Sequence, residues 1–393
     1  LDNRVVSDTD SLSSRDRRDQ LIERLRQRDG VSAQEYQAVL DALEATPHGF
    51  GFDAKGLLRV AVFDSRSYDI EYLSRANQGR LAFTFLPSAL GPDTASSAAG
   101  FLAVCLFVND RADAPVIRKL AGLGVRMIAL RCAGFNNVDL EECAACGISV
   151  ARVPAYSPHA VAEHTVALML MLNRKLHQAY VRNRTGAFVL DGLTGFDMHG
   201  KTAGVIGVGK IGQCVVDILL GFGCRVLAYD KYPSEALRAS KAEVADLPTV
   251  FAESDIVTLH VPLFPETHHL INREAIQAMK RGVMIINTSR GGLVDTRALI
   301  AGLKSGQVGS AGLDVYEEEA GIFFQDYSGK VLTDDVLARL MTFNNVVVTS
   351  HQGFLTHEAM TNIADTTVAN LLEFQAGKRG AELTNAVLAQ PRM

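Results

Sequence analysis

The chain has 393 residues, enough for two or three domains of roughly 100–200 residues, and 48% are hydrophobic, which suffices for a buried core in each. A formal net charge of -5 speaks against nucleic acid or an anionic membrane as the main partner. The six cysteines, Cys105, Cys132, Cys143, Cys146, Cys214 and Cys224, are scattered, which suits a reducing compartment better than a disulfide framework.

Residues 1–57 differ from the rest. They carry Arg and Ser, as transit peptides do, but Asp2, Asp8, Asp10, Asp16 and Asp19 oppose that reading, and no apolar signal-peptide core is present. A cytoplasmic protein is expected. The composition predicts an extension that is helical or partly disordered, with a short helix over Gln20–Arg28. Ser32-Ala-Gln-Glu35 then reads as a capping box, which opens a helix with Tyr36, Val39, Leu40 and Leu43 on one face. That stripe needs something to pack on. Thr46–Gly56 reads as a linker.

From Arg59 a β–α rhythm begins. Apolar strands are predicted at Arg59–Phe63, Leu81–Leu86, Ala103–Val108, Arg126–Leu130 and Ile148–Val150, with helices such as Ala114–Leu123 and Val138–Cys146 between them. Continuous apolar runs separated by helices indicate a parallel sheet covered on both faces. Cys143-Ala-Ala-Cys146 has the spacing of a redox pair or half a zinc site, but no second such pair exists; two small helix residues is the simpler reading.

Ser157-Pro158 starts a helix expected to run from His159 to about Arg182. Its apolar stretch from Thr165 to Leu172 is far shorter than the roughly 18–20 residues that cross a bilayer. A second series follows, with strands at Thr202–Ile206, Arg225–Tyr229, Ile256–Val261, Gly282–Asn287, Gly309–Leu313 and Val346–Ser350. A last helix spans about His357 to Gln375, with Thr356 as its cap. Six strands with crossovers make a doubly wound nucleotide-binding sheet.

Gly207-Val-Gly209-Lys210-Ile211-Gly212 follows a strand and opens a helix, which is the setting that gives this glycine spacing its meaning. Gly207 permits the tight turn, Gly209 lets backbone approach a pyrophosphate, and Gly212 lets helix pack on strand. Asp230 ends the next strand, about 20 residues on, where a carboxylate accepts the ribose hydroxyls and repels a 2′-phosphate. NAD is therefore expected over NADP, with Lys231 the one neighbour that softens this. The competing readings are a glycine-rich turn without ligand and an ordinary turn acid before Pro233.

Arg290, Glu319 and His351 each lie just past a predicted strand of this second series. Ligands bind outside the carboxyl ends of strands in such sheets. Reducing a 2-oxo acid needs a carboxylate held, a carbonyl polarised and a proton delivered. Arg offers a planar fork for the carboxylate, His is an acid–base group, and a carboxylate beside it fixes the ring and favours imidazolium. Singly, each of the three could be an ordinary loop residue; their joint occurrence with the glycine loop carries the reading.

The chain from about Leu58 onward resembles the D-isomer-specific 2-hydroxyacid dehydrogenases, and within them the bacterial fermentative D-lactate dehydrogenases. The matching segments are 105–110, 130–137, Val153–Pro158, Ala162–His164, Gly207–Gly212, Asn287–Gly292, Asp314–Glu317 and His351–Thr356. The resemblance implies an α/β fold of two doubly wound domains: a flavodoxin-like substrate domain, about 58–156 plus 353–393, and a Rossmann NAD domain, about 157–352. It implies a cleft site that closes on binding, and Arg290, Glu319 and His351 as the catalytic trio. It further implies that Ala133 and Gly134 offer N–H groups to a substrate carboxylate and that Tyr156 and Phe354 line the substrate pocket. Ile211, Asp230, Val261, Pro262, Thr288, Ser289 and Asp314 would contact NAD, alongside the glycine loop with Lys210. Thr267 stands where the family commonly has Asn. The implied substrate pair is pyruvate and D-lactate, with a homo-oligomer expected and no nucleic acid or membrane partner. The alternatives are a dehydrogenase for a larger 2-oxo acid and an NAD(H)-sensing corepressor.

Overall fold

The structure, a computed structural model, describes residues 50–389. The helices expected over 20–28 and from 36 onward lie outside the described residues. The chain divides into two compact units. Of the described residues, one takes 50–156 and 357–389; the other is Ser157–Thr356.

In the first unit, five strands pair in parallel: β1 (Arg59–Val62), β2 (Ala82–Phe85), β3 (Ala103–Leu106), β4 (Met127–Leu130) and β5 (Ser149–Ala151). Their order is β2-β1-β3-β4-β5, the flavodoxin-like arrangement. β1, β3 and β4 are fully buried apart from half-buried Arg59, as expected of strands covered on both faces. Crossover helices α1 (Ser67–Asn77), α2 (Ala114–Gly122) and α3 (Leu140–Ala145) follow β1, β3 and β4. Asp113 and Asp139 cap α2 and α3 through their carboxylates. The returning chain adds α12 (His357–Gln375), which packs on α1 and β4.

Residues 50–57, read from sequence as linker and extension, are part of this unit. Phe50 fills the space beside Gly124, whose φ is 94°. Phe52 bridges Leu58, and the Asp53 carboxylate closes the turn by accepting from Lys55 N at 2.9 Å and Leu57 N at 2.8 Å.

The second unit carries a parallel sheet of seven described strands: β6 (Thr202–Ile206), β7 (Arg225–Tyr229), β8 (Glu243–Val244), β9 (Ile256–Leu259), β10 (Val283–Asn287), β11 (Val308–Leu313) and β12 (Val346–Val348). The order β12-β11-β10-β9-β6-β7-β8 reverses between β6 and β9, as in a Rossmann sheet. β8 escaped the sequence reading because it is two exposed residues at the sheet edge.

The long helix expected from 159 to 182 is broken in two: α4 (Pro158–Asn173) and α5 (Leu176–Arg184). Lys175 takes φ 51° at the break, which ends the hydrogen-bond ladder without a glycine or proline to signal it. Of the later helices, the site uses α6 (Lys210–Gly221) and α10 (Thr296–Ser305).

Candidate active site

Because every strand of the second sheet runs parallel, the turns after β6, β7, β9, β10, β11 and β12 all leave the same edge. Gly207 follows β6 with φ 91°, and a Cβ there would stand 2.7 Å from the His260 and Val261 backbone. A Cβ on Gly212 would meet the Gly207 carbonyl oxygen at 2.0 Å. These two glycines are therefore required by packing. Gly209 differs: nothing lies within 4 Å of where its Cβ would be. It is the N-cap of α6 and supplies no side-chain cap, so the first N–H groups of the helix are left without a side-chain partner beside open space. Lys210 is exposed and Ile211 half-buried beside it. That cradle fits a pyrophosphate.

Asp230 follows β7. Its carboxylate accepts from Val208 N at 2.7 Å and Tyr232 N at 2.8 Å, which locks it beside the glycine loop with lone pairs to spare for hydroxyl donors. Val261 and exposed Pro262 follow β9, and Ser289 Oγ donates to the Val261 carbonyl at 2.7 Å. Thr288 is buried, with its hydroxyl 2.8 Å from that of Thr165. Thr267 Oγ donates to the Pro262 carbonyl at 2.7 Å, closing the 262–267 turn on itself. Burial pushes the His260 imidazole down to about 4, so the group behind the loop is neutral.

Arg290 follows β10, half-buried. Its Nη1 donates to the Ser289 carbonyl at 2.7 Å, and Asn287 Nδ2 holds the Arg290 carbonyl at 2.9 Å. Gly291 lies so close to the next turn that a Cβ would sit 2.1 Å from the Tyr316 carbonyl, so the turns carrying Arg290 and Glu319 are pressed together. Glu319 accepts from Tyr316 N at 3.0 Å through Oε2 and faces His351 Nδ1 at 2.9 Å through Oε1. The Phe324 ring lies 6.1 Å from the imidazole. A carboxylate on Nδ1 fixes the ring and leaves Nε2 as the nitrogen for proton transfer.

His351 sits on a strained turn: Ser350 and His351 have φ 52° and 60°. Each such residue costs on the order of 1–3 kcal/mol and persists only where its surroundings hold it. Asp314 holds this one. Its carbonyl accepts from His351 N at 2.5 Å, Oδ1 accepts from Thr349 Oγ1 at 2.6 Å and Gln352 N at 2.8 Å, and Oδ2 accepts from Gly353 N at 2.9 Å. His164 Nε2 lies 3.3 Å from Oδ1 and 3.0 Å from Thr349 Oγ1. Burial alone would raise the Asp314 pKa, but the hydrogen bonds from His164, Thr349 and Gly353 and the proximity of His164 outweigh it and lower it. The carboxylate is 2% exposed, with most of these donors on Oδ1 and Gly353 N alone on Oδ2. These bonds hold the turn that presents His351. The same bonds keep 349–353 with the second unit, so the chain crosses over only after Thr356. Phe354 therefore belongs to the second unit and is buried there.

Ala133, Gly134 and Tyr156 lie in the first unit, all half-buried. Ala133 and Gly134 follow β4, and among the described residues neither N–H has a partner. Two residues missed by sequence reasoning shape this loop. Arg152 donates to the Ala133 carbonyl at 2.9 Å and lies over the Phe135 ring at 5.0 Å. Arg131, 1% exposed, donates to Asp69 at 3.0 Å and to the Asp64 carbonyl at 2.8 Å, anchoring the start of the loop. Tyr156 lends its carbonyl to Asn362 Nδ2 at 2.6 Å. The Cys143 thiol, buried on α3, is pushed up to about 12 by desolvation, which makes it inert and leaves the small-helix-residue reading of 143–146 standing.

Residues 166–353 match the family model described as the NAD binding domain of D-isomer specific 2-hydroxyacid dehydrogenases. The D-lactate dehydrogenase of Escherichia coli (strain K12) is 51% identical over 322 residues, 82% of this chain and 98% of that protein. The chain belongs to this family. Among solved structures, the pyruvate reductase of Chlamydomonas reinhardtii matches with a TM-score of 0.79 at 46% identity, covering 84% of this chain and 98% of that one. The apo-structure of the Escherichia coli D-lactate dehydrogenase matches with a TM-score of 0.77 at 48% identity, covering 84% and 100%.

This 2-hydroxyacid dehydrogenase is an NAD-dependent oxidoreductase, and the glycine loop before α6 with Asp230 beside it fits that cofactor. No described helix is long and apolar enough to cross a membrane. Asp230→Ala is expected to narrow the preference for NADH over NADPH, chiefly by removing repulsion of the 2′-phosphate. Steady-state kcat/KM for both cofactors at fixed 2-oxo acid measures it; an unchanged ratio would refute the role given to this carboxylate.

Proposed function

We propose that the protein reduces pyruvate to D-lactate, reversibly. The observation that carries the reading is the Glu319–His351 pair, held on a strained turn at the edge of the NAD sheet and packed through Gly291 against the turn of Arg290. Bound NADH supplies the hydride. Arg290 grips the substrate carboxylate through its planar fork, aided by the Ala133 and Gly134 N–H groups. His351 delivers a proton to the carbonyl oxygen from Nε2, while Glu319 keeps the ring oriented and offsets the imidazolium charge. In the reverse direction the same nitrogen takes the proton from the hydroxyl. The glycine loop with Lys210 and Ile211, Asp230, Val261, Pro262, Thr288, Ser289 and Asp314 bind the cofactor. We assign the first unit to substrate binding.

Tyr156 and Phe354 are the aromatic residues assigned to the substrate side chain, as the family resemblance implies, and the methyl group of pyruvate is the small side chain such residues favour. Each misplaced methylene changes discrimination by only about 1–3 kcal/mol, so 2-oxobutyrate should react more slowly than pyruvate, and phenylpyruvate poorly. The relatives named D-lactate dehydrogenase and pyruvate reductase support this choice over a larger acid. Chiral analysis of the lactate formed from pyruvate and NADH tests it, with a panel of 2-oxo acids. An L product, or a clear preference for phenylpyruvate, would overturn it.

We propose a homo-oligomer as the working form. Leu176, Tyr180, Val181, Phe188, Val189 and Leu190 are all exposed within one short stretch, which suits a contact with a second copy. Phe188→Asp with Leu190→Asp should lower the mass seen by light scattering; a wild-type monomer would rule the contact out. A cytoplasmic location agrees with the free thiols and is checked by fractionation, where a membrane or organelle pool would contradict it.

A further inference from the structure

Beside the Arg290 turn, a second group of side chains gathers that the reaction does not use. His268, His269 and Glu317 each bring one potential ligand atom to within 4.8 Å of the others. Adjacent residues ordinarily point to different sides, so neighbouring histidines seldom face one point. Here His269 takes φ 51°, in the left-handed region, at a cost on the order of 1–3 kcal/mol. The two imidazoles consequently stack, with centroids 3.9 Å apart and 27° between their planes. The His269 N–H is fixed on the Gly292 carbonyl at 2.8 Å.

Glu317 completes the group. Its Oε1 lies 2.5 Å from His269 Nε2. Its Oε2 accepts from Thr296 Oγ1 at 3.1 Å, at the start of α10. A carboxylate with one oxygen turned to an imidazole and the other oriented by a hydroxyl has the outer support typical of a metal ligand. Side-chain exposures of 34% for His269 and 24% for Glu317, with His268 exposed, leave an entry path from solvent.

We propose that His268, His269 and Glu317 bind a divalent transition-metal ion of the zinc class. Two imidazoles and one carboxylate suit zinc, cobalt, nickel or copper, whereas calcium and magnesium favour all-oxygen shells. Tetrahedral zinc with bonds of about 2.0–2.2 Å sets its ligand atoms about 3.3–3.6 Å apart. The His269–Glu317 pair opens by about 1 Å to reach that spacing, giving up its shared proton as the ion enters. Water takes the remaining position. The ion would tie the 268–269 turn to the turn after β11.

Full-length protein, stripped with chelator and dialysed, should bind one Co2+ per chain, seen in the visible d–d bands, and one Zn2+ by calorimetry. His268→Ala and Glu317→Gln should each weaken binding by at least about tenfold, and excess Mg2+ should not compete. Because His268 is exposed, its variant should keep the wild-type circular dichroism spectrum. No ion on the wild type, unchanged affinity in both variants, or displacement by Mg2+ would each overturn the proposal.

Discussion

Replacing His351 with Gln is expected to lower kcat for pyruvate reduction by about 10²–10⁴-fold while NADH binds within a few-fold of wild type. Gln can still donate to Glu319, so the strained turn and its Asp314 clamp keep their partners, and what disappears is the group that gives up a proton at Nε2. The choice of Gln separates chemistry from folding, because a truncated side chain would also leave the Glu319 carboxylate without its partner. Glu319→Gln should cost less than His351→Gln, since the ring survives with a weaker orienting bond. The double variant should fall short of the summed losses, because the two side chains act as one unit. Stopped-flow turnover and NADH fluorescence measure both quantities. Retention of more than a tenth of wild-type kcat in His351→Gln would refute the assignment, as would a loss of NADH affinity equal to the loss of rate.

The parts of this site that were legible in the sequence are those whose chemistry is local. Gly207 and Gly212 announce themselves because turn and packing exclude any Cβ, and the strand before and helix after them are long and apolar. Asp230 follows from its place after the next strand. Arg290, Glu319 and His351 were readable as residues past strand ends, since a parallel sheet brings those ends to one edge. What stayed hidden depends on contacts between distant residues. The Asp314 clamp joins a carboxylate to donors 35 to 39 positions further on, and no period or motif records such a pairing. The left-handed residues Lys175, Ser350 and His351 carry no glycine to betray them, so the helix break and the strained turn could not be read in advance. His164 belonged to a recognised segment, but its role needed the fold to bring it to Thr349, 185 positions away. Arg152 is hidden for the same reason. Its work on the Ala133 carbonyl spans 19 positions and the close of β5.

Arg290→Lys is expected to reduce kcat/KM for pyruvate by about 30–1000-fold, the range that follows from losing roughly 2–4 kcal/mol of a charge-assisted pair. Charge is conserved in this variant, so the loss isolates geometry. One guanidinium N–H already holds the Ser289 carbonyl, which orients the planar head and leaves its other donors for a carboxylate. A lysine ammonium has no such fork, and its flexible stem would not be held by the Ser289 contact. The turn itself should survive, because Asn287 grips the backbone carbonyl of residue 290 and Gly291 sets the packing against Tyr316. The decisive comparison uses pyruvamide, which keeps the ketone but replaces the carboxylate with a neutral amide. If Arg290 binds the carboxylate, wild type should lose most of its advantage over Arg290→Lys on pyruvamide, and the ratio of the two substrates should collapse in the variant. An equal loss on both substrates would instead place the guanidinium against the reacting carbonyl, and the carboxylate would then have to rest on the Ala133 and Gly134 N–H groups alone.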